Sequence, residues 1–141
     1  MTQIDFYTNI ADKLGTACRI VAKAYGLKHR VVICCPDAET GQQVDRLLWT
    51  SPATGFVPHC AASSALAAST PVIIDHAGVE PLHDELLVNL RSEWPAFFSR
   101  FERLIEIVSV DDQDRQHARE RFRFYRDRGY DIRTHDLRAT A

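Results

Sequence analysis

The stretch HRVVICC, residues 29–35, is a short apolar run that lies between Lys28 and Pro36. Continuous runs of this kind are typical of strands buried on both faces, as in a parallel sheet. Three similar runs and one alternating segment bring the prediction to about five strands. These other segments are QIDFYT (3–8), PVIIDHA (71–77), DELLVNL (84–90) and ERLIEIVSV (102–110).

Apolar residues at helical spacing separate these strands. The first such pattern stops at Gly26, and glycine commonly ends a helix. Strands that alternate with helices predict a mostly parallel sheet with helices on both faces. We therefore expect an α/β protein with a single three-layer α/β/α domain over residues 1–141, Rossmann-like in arrangement. The predicted helices cover residues 10–25, 37–50, 94–101 and a last segment that ends near Gly129.

The turns that follow the first two strands carry no phosphate-binding motif. Sheets of this type usually bind ligands at the carboxyl ends of their strands. The turns read TNIAD and PDAET, and neither contains the glycine pattern of a dinucleotide or nucleoside triphosphate site. The sequence thus predicts a nucleotide-binding type of fold without the loop that holds phosphate, and we expect no cofactor.

Composition excludes several classes of protein. The 141 residues are 45% hydrophobic and 26% charged, which is ordinary for a globular domain. The apolar runs are too short to span a membrane, and MTQIDFYTN lacks the pattern of a signal peptide. A net charge of −2 disfavours coating of nucleic acid. We expect a cytoplasmic protein with no membrane partner that meets DNA only indirectly.

The four cysteines do not form a metal or disulfide motif. None belongs to a C-x-x-C pair, and Cys34 and Cys35 lie inside an apolar run. His59 and Cys60 would need two further ligands at short spacing to hold zinc, and none is present. We interpret the cysteines as reduced thiols and expect no metal.

An enzyme is one alternative. Asp75 and His76 end a predicted strand, and the trio from His83 to Glu85 precedes another, so either place could supply a general base. No glycine-framed serine or activated cysteine accompanies them. A nucleotide-binding or hydrolytic enzyme with a site at Asp75 and His76 is the weaker hypothesis, and we expect no catalytic residue.

The segment LLWTSPATGFVPHC (47–60) places Trp49, Pro52 and Phe56 in and before a turn-rich loop. Loops normally run over the surface, where large apolar side chains are unfavourable unless they are covered. The two rings either pack into a small core under the loop or form an exposed patch for a partner protein, because aromatic residues are enriched at binding hot spots.

The segment RQHARERFRFYRDRGY (115–130) carries six arginines. At 100° per residue, four of them fall in one quadrant of a helix, with Phe122 at its edge. Within the body of the helix only Glu120 and Asp127 could form close pairs, so the quadrant is not neutralised locally. Arginines beside an aromatic ring suit a carboxylate or phosphate ligand with an apolar group. The quadrant consists of Arg115, Arg119, Arg123 and Arg126.

Three interpretations of this quadrant remain open. It could be a solvated face without a ligand, since surface charges often have no consequence. It could bind single-stranded nucleic acid through phosphates and stacked bases. It could also bind an acidic peptide with a hydrophobic anchor. The compact quadrant and the negative net charge favour the peptide.

Three segments carry a family resemblance: FYT (6–8), DRLLWTSPATGFVPH (45–59) and ARERFRFYRDRGYDI (118–132). In these segments, and in the order of its elements, the chain resembles the chi subunit of bacterial DNA polymerase III over nearly its whole length. The resemblance implies a parallel sheet without a functioning nucleotide site and a non-catalytic accessory subunit of the clamp-loader complex.

The resemblance also implies two partners. The psi subunit would bind the patch of Trp49, Pro52 and Phe56. The acidic C-terminal tail of single-stranded DNA-binding protein would bind the last helix, and chi would tether the two. Relatives often carry lysine at the positions of Arg115 and Arg123, and tyrosine at the position of Phe122. The residues implied for the tail are Arg115, Arg119, Phe122, Arg123 and Arg126.

Overall fold

A computed structural model describes residues 1–50 and 56–137. All seven strands found there belong to one sheet, and every pairing between neighbours is parallel. The strands are β1 (Gln3–Ile10), β2 (Val31–Cys34), β3 (His59–Ala61), β4 (Val72–Asp75), β5 (Leu86–Asn89), β6 (Arg103–Ser109) and β7 (Ile132–Asp136). Their spatial order is β3-β4-β2-β5-β6-β1-β7. The helices are α1 (Lys13–Gly26), α2 (Ala38–Thr50) and α3 (Asp112–Asp127).

The predicted α/β class is confirmed, but the predicted number of strands is wrong. The sheet has seven strands rather than about five because β3 and β7 were missed. Both are edge strands: β3 has only three residues, and β7 reads IRTHD and has no buried residue. Edge strands are held by backbone hydrogen bonds to a single neighbour and need no apolar run.

The predicted helix at 94–101 is also wrong. The structure forms only a 3₁₀ turn there, Phe98–Arg100. Phe98 and Phe101 are both buried on the α3 side of the sheet, at positions that one side of a regular helix would also bring together. A second 3₁₀ turn, Ala67–Ser69, lies in the weakly patterned region before β4.

Helices cover the sheet from both sides, as predicted. In β2, Val31 and Ile33 belong to the core that α1 and α2 cover, whereas Val32 belongs to the core under α3. This alternation within one strand is what a sheet buried on both faces requires. The fold is therefore three-layered, with α1 and α2 on one face and α3 on the other. None of the helices in the described residues is long and apolar enough to cross a membrane.

A buried polar network fixes α3 against the sheet. Glu106 of β6 is fully buried, and its carboxylate accepts hydrogen bonds from Arg121 Nε (3.0 Å) and from the Tyr125 hydroxyl (2.6 Å). Asn89 of β5 donates to the same carboxylate at 3.0 and 3.1 Å. The pKa of Glu106 is raised above its ordinary value, because the effect of burial exceeds the opposing effects of Arg121 and these hydrogen bonds. Four donor contacts thus compensate one buried carboxylate and set the rotation of α3 about its axis.

The first turn of α3 is held just as specifically. The Asp111 carboxylate accepts a hydrogen bond from the Asp114 backbone N–H at 3.0 Å, which is an N-cap. Asp114 in turn accepts from the Ser109 backbone N–H at 2.8 Å and from Lys13 Nζ of α1 at 3.0 Å. The helix ends before Gly129, whose φ of +82° takes the chain out of the helical path.

Candidate functional site

A groove of about 480 Å³ lies beside α3, at the edge of the sheet formed by β1 and β7. Its apolar part comes from both the sheet and the helix, and the Phe6 and Phe122 rings meet edge to face, 5.4 Å apart. We call this the arginine groove. Its lining consists of Phe6, Thr8, Asn9, Val108, Arg115, Ala118, Arg119, Phe122, Arg123, Arg126 and Thr134.

All four arginines of the predicted quadrant line this groove, together with Phe122. The helical spacing therefore placed these five side chains correctly relative to one another. The groove results from the rotation of α3 that Arg121 and Tyr125 impose: those two residues are buried, and the quadrant is left exposed beside the edge strands.

The arginines differ in their partners. Arg115 pairs with Asp112 at 3.8 Å, and Arg126 pairs with Asp127 at 3.4 Å. The pair with Asp112 was not predicted, because this acid lies in the first turn rather than in the body of the helix. Both pairs are exposed and hold their arginines weakly.

Arg119 and Arg123 form no ion pair or hydrogen bond with the residues that the structure describes. Both are exposed beside the apolar floor. Two guanidinium groups are therefore free to bind an anion.

The remaining lining residues were not predicted. Phe6 and Thr8 come from β1, Val108 from β6 and Thr134 from β7. Asn9 adopts a φ of +60° where the pairing of β1 with β6 shifts register, and its side chain donates to Asp136 at 2.9 Å. The alternation of QIDFYT puts Phe6 and Thr8 on one face, but which helix covers that face is decided only by tertiary packing.

Trp49 and Phe56 form an exposed aromatic surface at the opposite edge of the sheet. Their side chains are 57% and 72% exposed, and their ring centroids lie 6.1 Å apart. These rings therefore do not pack into a small core under the loop, which was one of the two interpretations of this segment. Pro52 lies outside the described residues, so the surface that we call the tryptophan patch is defined by Trp49 and Phe56.

The buried His59 ring packs against the Trp49 ring of the tryptophan patch. The His59 ring lies 4.7 Å from the Trp49 ring, with its Nδ1 2.7 Å from the Val57 carbonyl and its Nε2 3.0 Å from the Asp45 carboxylate. Of these two contacts only the one at Nδ1 is a hydrogen bond, since Nε2 has no hydrogen-bond partner among the described residues, so the ring is held by the Val57 carbonyl and by its burial. Trp49 thus rests on an ordered support.

The residues suggested for an enzyme differ in their burial and their contacts. The Asp75 carboxylate accepts a hydrogen bond from the Ala77 backbone N–H at 3.1 Å, while His76 is exposed. His83 is buried, and burial together with Arg30 lowers its pKa. Burial also raises the pKa of the Cys34 thiol to about 12, which leaves it unreactive near neutral pH.

A metal site is not formed in the described part of the chain either. Within residues 1–50 and 56–137, no three histidine, cysteine or acidic side chains are arranged to hold an ion. His59, the ligand considered with Cys60, instead faces Val57 and Asp45. The arginine groove and the tryptophan patch are therefore the two surfaces that contain the residues predicted to bind partners.

Comparison with solved structures supports the fold. The C-terminal domain of the Saccharomyces cerevisiae protein Dbp5 aligns with a TM-score of 0.61 over 98% of this chain and 91% of that domain. At 10% sequence identity, this likeness concerns the fold alone.

Comparison with curated proteins identifies the family. DNA polymerase III subunit chi of Pseudomonas aeruginosa is 35% identical over 141 residues, which is 97% of this chain and 98% of that protein. The Escherichia coli subunit chi is 31% identical over 83% of this chain and 80% of its own length. The Haemophilus influenzae subunit chi is 31% identical over 86% and 85%, respectively. Residues 1–133 also match the family described as DNA polymerase III chi subunit, HolC. The chain therefore belongs to the DNA polymerase III chi subunit family.

Proposed function

We propose that this chain is a non-catalytic accessory subunit of the clamp-loader complex that tethers the psi subunit to the C-terminal tail of single-stranded DNA-binding protein. The tail would occupy the arginine groove, and psi would cover the tryptophan patch. The proposal includes a place for the protein in the cytoplasmic replication machinery and requires no cofactor. At these two surfaces contact with DNA would be indirect, through the bound protein.

The observation that carries the proposal is the pair of unpartnered arginines beside an apolar floor. Arg119 and Arg123 offer planar donors that match carboxylates bidentately. Phe6 and Phe122 offer a surface for an apolar side chain. An acidic peptide that ends in an apolar residue uses both features, whereas a simple anion uses only the first.

A long polyanion fits less well. The protein carries a net charge of −2, so a nucleic acid strand that leaves the groove meets unfavourable potential. The groove is also short, since its arginines occupy three turns of one helix. These features favour a peptide over direct binding of single-stranded nucleic acid.

The placement of the two surfaces suits a tether. α2 packs near β3 and β4 at one edge of the sheet, whereas α3 packs over β6 on the other face, with its groove toward β1 and β7. Two partners bound there would not compete for space. Linking two modest contacts raises effective concentration, so neither contact has to be tight by itself.

The test is isothermal titration of an acidic peptide that copies the C-terminus of the same organism's single-stranded DNA-binding protein. We expect wild type to bind and Arg119→Ala to bind about tenfold or more weakly, because a charged hydrogen bond contributes about 1.5–3 kcal/mol. Arg133→Ala is the matched control: it removes the same charge from an exposed position of β7 that does not line the groove. Equal losses in both variants would show that only net charge matters and would refute the site.

A further inference from the structure

A second cavity, of about 410 Å³, lies on the opposite flank of α3. Successive helical residues are 100° apart, so positions 117, 120, 121 and 124 face away from the arginine groove. We call this the indole cavity. Its lining consists of Ser92, Glu93, Trp94, His117, Glu120 and Arg121.

A stacked column leads into the indole cavity. The Trp94 and Phe124 rings lie 3.7 Å apart and 11° from parallel. The Arg128 guanidinium also lies 3.7 Å from the Phe124 ring, so it must occupy the other face of that ring. Trp94 ends the column and is 42% exposed. No further ring or guanidinium of the described residues stacks on it, so a planar group could extend the column by one step.

The cavity also contains a buried donor without an acceptor. Arg121 is only 1% exposed; its Nε donates to Glu106, and its Nη1 donates to the Ser92 carbonyl at 2.8 Å. Its Nη2 is buried and has no hydrogen-bond partner. A buried donor left unpaired is unfavourable, because it has lost its hydrogen bonds with water. A ligand that brings an acceptor oxygen or nitrogen to this flank of the helix would remove that cost.

Two carboxylates and the half-buried His117 complete the lining. Glu120 is exposed on α3, and Glu93 is 77% exposed with only a 3.9 Å contact to Arg91. Besides the imidazole, the cavity therefore combines a stacking face, one unpaired donor and two carboxylate acceptors. A flat ring that carries an acceptor beside its own N–H donors meets all three requirements.

We propose that the indole cavity binds a guanine base. The ring would stack on Trp94, the O6 atom would accept from Arg121 Nη2, and the N1–H and N2–H groups would donate to the Glu120 carboxylate. Uracil and adenine do not combine that acceptor with two adjacent donors. A cationic side chain would pair with the carboxylates, but it would place a second positive charge beside Arg121 and leave Nη2 unpaired. The base could belong to a free nucleotide or to single-stranded DNA.

The test uses the two tryptophans of the chain. In a Trp49→Phe background, Trp94 is the only tryptophan, and a stacked base quenches its fluorescence. We expect saturable quenching by GMP at concentrations up to about 10 mM, and at least about tenfold weaker binding of AMP and UMP. The oligonucleotide dT4-dG-dT4, with dT9 as its counterpart without guanine, distinguishes the two sources of the base. Quenching by dT4-dG-dT4 at a lower concentration than GMP assigns the base to single-stranded DNA. Quenching by GMP at the lower concentration assigns it to a free nucleotide.

Two variants distinguish this site from the proposed tail site. Glu120→Gln should weaken GMP binding about tenfold, because a single carboxylate takes both donors of the base. Arg119→Ala should leave GMP binding unchanged, so failure of the tail proposal would not affect this result. Three outcomes would overturn the guanine site: no saturable quenching by GMP, equal quenching by all three nucleotides, or quenching by N-acetylarginine amide in place of GMP.

Discussion

The arginine groove offers four guanidinium groups beside buried rings, whereas the tryptophan patch offers two exposed rings on an ordered support. The helices beneath them are also held differently. α3 is anchored by the buried ion pair of Arg121 with Glu106 in addition to apolar packing. α2 is anchored by apolar contacts, chiefly of Val44 and Leu48.

This difference indicates what each surface can recognise. Charged groups select a partner by its carboxylates, and their binding responds to salt. Exposed rings select by shape and buried apolar area, and they are largely indifferent to salt. Two surfaces of one chain can therefore suit partners of unlike chemistry, and salt would affect the binding of only one of them.

The largest effect should come from breaking the anchor of α3. Arg121→Ala leaves the Glu106 carboxylate buried without its cation, which costs about 3–5 kcal/mol of the free energy of unfolding. Urea unfolding followed by circular dichroism measures this loss. Arg119→Ala removes an arginine from the same helix at an exposed position and should change stability by no more than about 0.5 kcal/mol. Similar stabilities of the two variants would mean that the buried pair is not what holds α3.

The second largest effect concerns the tryptophan patch. Trp49→Ala should weaken binding of the same organism's purified psi by about 2–4 kcal/mol, as expected for a central aromatic hot spot. Surface plasmon resonance with immobilised psi measures this change, and titration with the acidic tail peptide should show no loss. Leu82→Ala, which truncates another exposed apolar residue, is the control. Psi binding that is unaffected by Trp49→Ala would remove the patch from the interface.

The sequence predicted the centre of the fold better than its edges. Runs such as VVIC and VIID are apolar because β2 and β4 are buried on both faces, so their composition reveals them. β7 has no buried residue, and among the described strands it is paired only with β1 through a hydrogen-bond ladder. A ladder between residues more than 120 positions apart leaves no trace in local composition.

The arginine groove and its anchor show the same limit of prediction from local sequence. Helical geometry alone brings the four arginines and Phe122 together, so the sequence predicted that half of the groove. Phe6 and Thr134 join it only through the packing of α3 against the sheet. The helical pattern does not distinguish Arg121 from the exposed arginines of α3, so its role as the partner of Glu106 is not predicted. Glu106 inside an apolar strand is nevertheless a signal for a buried cation nearby.

A smaller effect should separate the two surfaces by their response to salt. Raising NaCl from about 50 to about 500 mM shortens the Debye length severalfold and should weaken tail-peptide binding by about tenfold. Psi binding should change little over the same range. In Arg119→Ala/Arg123→Ala the remaining tail affinity should depend less on salt than that of wild type, because only Arg115 and Arg126 are left in the groove. A salt response of equal size for both partners would remove the electrostatic distinction between groove and patch.

The smallest effect concerns pH and the first turn of α3. Burial would raise the pKa of Asp114, but its hydrogen bonds from Ser109 and Lys13 outweigh burial and lower it. A lowered pKa in the folded protein means that the unfolded chain holds the proton more tightly. The stabilisation is therefore complete above the ordinary aspartate pKa of about 3.9 and is lost as the pH falls through the lowered folded value.

Asp114→Asn tests this, since asparagine can accept from the Ser109 N–H but cannot form the ion pair with Lys13. The free energy of unfolding of the variant should be about 1 kcal/mol lower than that of wild type at pH 7, and the two should be nearly equal at the lowest pH measured. The stability of the variant should therefore depend less on pH than that of wild type. Urea unfolding from pH 7 down to about pH 3 measures both curves.

Asp5 also has a lowered pKa, and its contacts with His135 and Arg103 are unchanged in the variant, so some acid sensitivity must remain. Curves that stay parallel throughout would mean that the charge of Asp114 does not hold the start of α3. The groove would then depend on the buried Glu106 network for its position.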